Sequence, residues 1–204
     1  MARKRSVAEY CEMCARELLA DHQHLIDPDR RKLVCACDAC AILFTAQEGT
    51  KLRRVPREVR YLLNFQMPDA LWSSLLIPIE LAFFFESTPE RRVVAFYPSP
   101  AGATESLLAL ETWENVVNDN RVLSGMLPDV EALLVNRVGS TRGVEPAYFI
   151  APIDECFKLV GLIRMHWRGL SGGTEVWREI NGFFSALKEK ASVPKELARE
   201  TTSA

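Results

Sequence analysis

Cys11-Glu12-Met13-Cys14 and, further along, Lys32-Leu33-Val34-Cys35-Ala36-Cys37-Asp38-Ala39-Cys40 decide how the N-terminal part of this chain is read. Each pair of cysteines is separated by two residues, the gap that lets two sulfurs reach one ion at about 2.3 Å. Between the pairs lies His24-Leu25-Ile26-Asp27-Pro28-Asp29-Arg30, which reads as a strand ending in a Pro-Asp turn, with Lys32-Leu33-Val34 as the returning strand. After Cys40, Ala41-Ile42-Leu43-Phe44 suits a short helix running toward Gly49, with Asp38 as its expected cap. Cys40 then falls in the first turn, where free N–H groups and the helix dipole favour a thiolate. Knuckle, hairpin, knuckle and helix in that order resemble a treble-clef or zinc-ribbon finger.

The expected ligands are Cys11, Cys14, Cys37 and Cys40. Candidates outnumber positions. Cys35 is expected on the same strand face as Cys37, as a small buried residue or a thiol just outside the ligand set. His22 and His24 read as a solvated or hydrogen-bonded turn pair. Cys35 and His24 are the alternates, and a Cys3His set through His24 is the main competitor. Zinc is the expected ion, because it is the usual occupant of a structural tetrathiolate. One iron in a rubredoxin-like site, carrying an electron or sensing redox state, is the alternative. The Gly and Pro usual beside rubredoxin cysteines are missing from both knuckles.

Five of six cysteines lie within residues 11–40, and only Cys156 lies elsewhere. Clustered thiols of this kind fit a reducing compartment better than a disulfide framework. Met1 to Arg5 is basic but is not followed by an apolar stretch, and Leu71 to Phe85 is interrupted by Pro78 and Glu80. Neither reads as a signal peptide or a membrane span, so a cytoplasmic protein without membrane insertion is expected.

The rest reads as a second module. The 204 residues hold 48% apolar and 25% charged side chains, which fits a globular chain. Residues 1–50 form the Cys-rich module, 51–61 a basic connector, 62–190 an α+β domain and 191–204 a fraying tail. Expected strands are 80–85, 92–97, 131–138, 147–153 and 158–167, the last from the alternation of Leu159, Ile163, Met165 and Trp167 with Lys158, Arg164 and His166. Close spacing makes the later strands antiparallel. Two flanking helices are expected. One begins after Thr104 and carries Leu107, Leu110, Trp113 and Val117. The other is capped by Thr174 and carries Val176, Ile180, Phe183, Phe184 and Leu187.

Charge argues against nucleic acid. Residues 1–60 carry 12 basic and 9 acidic groups and residues 61–204 carry 13 and 18, a weak footprint for phosphate. Arg30, Arg31, Lys32, Arg53, Arg54, Arg57 and Arg60 have no aromatic residues among them and read as a solvated or protein-contacting rim. Asp21-His22-Gln23-His24 beside paired cysteines is similar to part of an HNH nuclease finger, but no Asn-Leu precedes the second knuckle and no His follows Cys40. The loop 97–106 reads as a rigid turn with a helix cap, although its N–H groups have the look of an anion site without a P-loop lysine. Asp154 and Glu155 read as a turn between strands. His166 is the only histidine outside the finger, so no catalytic triad can be assembled.

The segments Cys-Ala-Cys-Asp-Ala-Cys-Ala-Ile-Leu-Phe (35–44), Tyr-Pro-Ser-Pro-Ala-Gly-Ala-Thr-Glu-Ser (97–106), Pro-Asp-Val-Glu-Ala-Leu-Leu-Val (128–135) and Leu-Val-Gly-Leu-Ile-Arg (159–164) together carry a family likeness. Over about residues 10–190 the chain resembles an uncharacterised bacterial family encoded beside high-affinity, actinobacterial-type [NiFe]-hydrogenases. The resemblance implies no activity. It implies a cytoplasmic accessory to hydrogenase assembly, stability or electron flow, with hydrogenase subunits or maturation factors as expected partners. Without a triad or a complete HNH pattern, a non-enzymatic role is expected.

Overall fold

The computed structural model describes residues 8–46, 49–106, 110–140, 143–169 and 172–193. The chain forms two compact units, Met1–Val55 and Pro56–Ala204. The fold is mixed α+β with antiparallel sheets.

In the first unit, β1 (Gln23–Asp27) and β2 (Lys32–Ala36) form a hairpin, and β3 (Arg53–Arg54) adds to the free edge of β1. The Asp27 side chain shapes the turn, its Oδ1 accepting the N–H groups of Asp29 at 3.1 Å and Arg30 at 3.3 Å. Alternation sorts the hairpin into two faces. Leu25, Val34 and Ala36 are buried and pack with Cys11, Cys40 and Ala41. His24 and Cys35, directly opposite each other in the register, share the other face. Helix α1 (Asp38–Thr45) follows at once. Its cap position is Cys37, in extended conformation, with no side-chain cap; Asp38, expected as the cap, is already helical.

The second unit is built on a six-stranded sheet of order β4-β9-β8-β5-β6-β7, every neighbour antiparallel. Its strands are β4 (Arg60–Tyr61), β5 (Leu81–Ser87), β6 (Arg92–Ser99), β7 (Gly102–Ser106), β8 (Glu131–Asn136) and β9 (Ala147–Pro152). The first five residues of both β5 and β8 are buried without alternation, because both sheet faces are covered. On one face Phe84, Leu133, Val135 and Ile150 meet Trp72 of α2 (Asp69–Ser74), Trp113 and Val116 of α3 (Leu110–Asp119) and Leu123 of the 3-10 turn Arg121–Gly125. On the other, Phe83 and Phe149 meet Phe157 of α4 (Ile153–His166) and Phe184 of α5 (Gly173–Lys190).

Several expectations need correction. Residues 158–166 are helical, and Trp167 is the extended residue that ends the helix. Ile153, Cys156, Leu159, Val160 and Ile163 are the buried set, at helical spacing, while Met165 is 66% exposed. Thr104 caps no helix; it lies in β7 opposite Tyr97, and the loop expected at 97–106 is the hairpin of β6 and β7. Leu107 and the Leu110 side chain lie outside the described residues. Thr174 lies inside the first turn of α5, and the cap position belongs to Gly172 at φ +84°. A side chain there would also meet Val176 Cγ1 at 2.8 Å, so glycine is required twice over. Residues 51–61 are not a plain connector, since they supply β3 and β4. Nor does the second unit end at 190: Ser192 donates its N–H to the Val59 carbonyl and accepts that of Tyr61, both at 2.8 Å. Residues 194–204 lie outside the described residues.

Candidate metal centre

The first knuckle is a tight reversal. Ala15 N–H donates to the Cys11 carbonyl and Cys11 N–H to the Arg16 carbonyl, both at 2.8 Å, with Ala15 at φ +58°. The second knuckle is the start of α1, where Ala41 N–H reaches the Cys37 carbonyl at 2.8 Å. The two turns bring Cys11, Cys14, Cys37 and Cys40 together with all four Sγ atoms within 4.8 Å of one another. Cys14 and Cys37 Sγ are 3.8 Å apart. A disulfide needs about 2.05 Å; the edge of a tetrahedron with metal–sulfur bonds of about 2.3 Å is about 3.8 Å. All six cysteines are free thiols.

Electrostatics point the same way. Burial pushes the Cys11 thiol up, but the N–H groups of Cys37, Met13 and Cys14 and the Cys14 thiol overcome it and bring the pKa down to about 6. Cys40 is pushed up to about 12 by burial, by hydrogen bonds among the thiols of Cys37, Cys14 and Cys11, and by the Cys11 charge. Four thiols at this separation cannot all ionise on their own. A dication removes the conflict, because it deprotonates each coordinating thiol. The donor set, the spacing and the N–H groups aimed at sulfur fit a tetrathiolate ion, and the four-cysteine site can hold a metal.

Glu12, inside the first knuckle, carries a role that sequence reading missed. Its N–H donates to the Cys35 carbonyl at 2.9 Å, and its carboxylate accepts the Cys35 N–H at 3.0 Å and the Lys32 ammonium at 2.9 Å. The Lys32 and Cys35 donors hold its carboxyl below the usual carboxylate range despite partial burial. Glu12 thereby ties the first knuckle to β2. An acidic residue between two candidate ligand cysteines was the available signal, but its partner could only come from the register.

A family model spans residues 10–191, and so takes in both knuckles and every described strand of the two sheets. The chain belongs to this family, a family of unknown function (DUF5947). No curated protein and no solved structure matches the chain significantly. Family membership thus names no activity, and the chemistry rests on the residues.

The alternates fall elsewhere. Cys35 is grouped with His22 and His24 rather than with the four cysteines. Burial, and then Glu9, Glu12 and Cys11, push its thiol up. Glu155 meets Lys190 at 2.5 Å and Lys158 at 3.5 Å in the first turn of α4, and Cys156 behind it is fully buried with its thiol pushed well up by burial. His166 Nδ1 contacts Glu175 at 3.0 Å. Much of the basic rim is engaged: Lys32 with Glu12, Lys51 with Asp29, Arg54 with Gln23 and Arg60 with Glu131. No helix of the described residues is long and apolar enough to cross a membrane.

Proposed function

We propose that this protein is a non-enzymatic metal-binding accessory that acts by protein contact, its N-terminal finger ordered by one zinc ion on Cys11, Cys14, Cys37 and Cys40. The observation that carries the reading is the gathering of four thiols within 4.8 Å of one another, with Cys14 and Cys37 at 3.8 Å. Two pairs of thiolates fill all four positions, which leaves no site for substrate and marks a structural ion. Six unpaired cysteines suit the reducing cytoplasm. The engagement of Lys32, Lys51, Arg54 and Arg60 by neighbouring side chains supports a protein partner over nucleic acid. The likeness to a family encoded beside [NiFe]-hydrogenases supplies the partner class, hydrogenase subunits or maturation factors.

The test is genetic and chemical. Deleting the gene lowers the amount of mature hydrogenase or its hydrogen uptake, and a Cys14→Ser variant that has lost its metal fails to restore it. Normal uptake in the deletion strain under inducing conditions overturns the partner assignment. Cys14 is exposed, which favours a second reading, a rubredoxin-like electron carrier with iron near the surface. That reading predicts a red protein, and a deletion defect in electron flow with mature enzyme at its normal level.

A further inference from the structure

His22, His24 and Cys35 form a second cluster that the tetrathiolate does not use. One ring nitrogen of each histidine and the Cys35 Sγ lie within 4.8 Å of one another. The hairpin register explains the meeting. His24 is paired with Cys35 across the strands, and His22, just ahead of β1, meets the same pair. The imidazoles of His22 and His24 contact edge to face at 4.7 Å.

His22 is set up as a ligand. Its side chain is only 6% exposed. Nδ1 lies 2.9 Å from the Leu19 carbonyl oxygen and 3.6 Å from a Glu9 carboxylate oxygen. Both neighbours are acceptors only, so Nδ1 carries the hydrogen and donates it. The lone pair of the neutral ring then lies on Nε2, which is buried and has no hydrogen-bond partner. A buried polar atom without a partner costs about 1–3 kcal/mol. A ring held through Nδ1–H by a carbonyl and a carboxylate, with Nε2 bare, is the arrangement of metal-binding histidines.

We propose that His22, His24 and Cys35 bind a second transition-metal ion of the zinc class, in a three-ligand site separate from the tetrathiolate. Two imidazoles and one thiolate suit a borderline-soft divalent ion. Ligands on such an ion stand about 3.3–3.8 Å apart, a contraction that side-chain rotation supplies. Three protein ligands leave a fourth position for water or for a donor from a partner, so this ion is exchangeable where the first has all four positions filled by protein. Glu9 and the Leu19 carbonyl orient His22 from behind.

The test uses the full chain, washed with EDTA to leave the tightly held equivalent, then titrated with Zn2+ against a chromophoric indicator. The wild type takes up a second equivalent. His22→Ala, His24→Ala and Cys35→Ala take up only the first, whose retention shows that the finger is folded. Loss of the second equivalent in at least two of the three variants supports the site, and its retention in at least two overturns it. A wild type that stops at one equivalent in excess Zn2+ also overturns it. Alkylation of the unmutated chain gives a readout that needs no variant: the second equivalent slows modification of Cys35 at least tenfold, and an unchanged rate contradicts the assignment.

Discussion

Removing the metal proposed for the four cysteines should unfold the first unit and leave the second intact. Among the described residues, the large aliphatic side chains buried in the first unit are Leu25, Ile26, Val34 and Val55. Together they supply on the order of 6–12 kcal/mol from burial. A structural zinc site contributes about 10–16 kcal/mol in finger peptides at neutral pH. Ordering the backbone costs about 1–2 kcal/mol per residue, a demand that four aliphatic side chains cannot meet alone. Two further members of the same small core, Cys11 and Cys40, are themselves proposed ligands, so metal loss should also loosen the packing. The second unit holds Phe83, Phe84, Leu133, Leu134, Phe149 and Ile150 at 0–1% exposure, a core large enough to stand without the metal. All four tryptophans, Trp72, Trp113, Trp167 and Trp177, belong to it. Tryptophan emission therefore reports on the second unit alone, and limited proteolysis mapped by mass spectrometry reports on the first. Thiol-competing chelator should expose cleavage sites within residues 11–46 while the emission spectrum and the urea midpoint stay put. A first unit that remains protease-resistant without metal refutes the reasoning, as does a collapse of the tryptophan signal along with it.

Glu131, 5% exposed, accepts the Arg60 guanidinium at 2.8 and 2.9 Å and the Leu127 N–H at 2.8 Å. Glu131→Ala should cost about 3 kcal/mol in urea unfolding followed by tryptophan emission, because it strands a mostly buried charge; a cost below about 1 kcal/mol contradicts that. Glu12→Gln should cost the first unit about 0.5 kcal/mol at neutral pH, a figure reduced for a carboxylate 40% exposed to solvent. Its folded pKa lies below the ordinary 4.5, so the deficit is present above that value and closes as pH falls through the folded one. Amide exchange at Cys35 measures it, and a deficit independent of pH speaks against the pairing. A fragment of residues 56–193 should unfold cooperatively, and one of residues 62–190 should be markedly less stable, since only the former keeps β4 and its bonds to Ser192. Equal urea midpoints for the two fragments count against that role for β4.

The knuckles, the hairpin and the short helix were legible because each is written locally: two-residue gaps, a Pro-Asp turn, a run of helix formers. The covered strands were legible as apolar blocks, and α5 as a clean helical stripe. Residues 158–167 misled because Leu159, Ile163, Met165 and Trp167 happen to fall on odd numbers. Read with Ile153, Cys156 and Val160, the period is that of a helix, and the sheet already had its strands. Thr104 suits a cap by type, but β6 needed a partner at that edge, and pairing overrode the local preference. The meeting of Cys11, Cys14, Cys37 and Cys40 follows from spacing alone. The separation of Cys35 from them does not, because it depends on which face of the hairpin packs inward. For the same reason the pairing of His24 with Cys35 emerged only from the register, and His22 joins them from just ahead of β1.

X-ray absorption at the metal edge, on the EDTA-washed full chain, tests the tetrathiolate most directly. The prediction is one zinc per chain with four sulfur neighbours at about 2.3 Å and no nitrogen in the shell. A chain without metal, or a shell in which imidazole nitrogen replaces a sulfur, contradicts the assignment of Cys11, Cys14, Cys37 and Cys40.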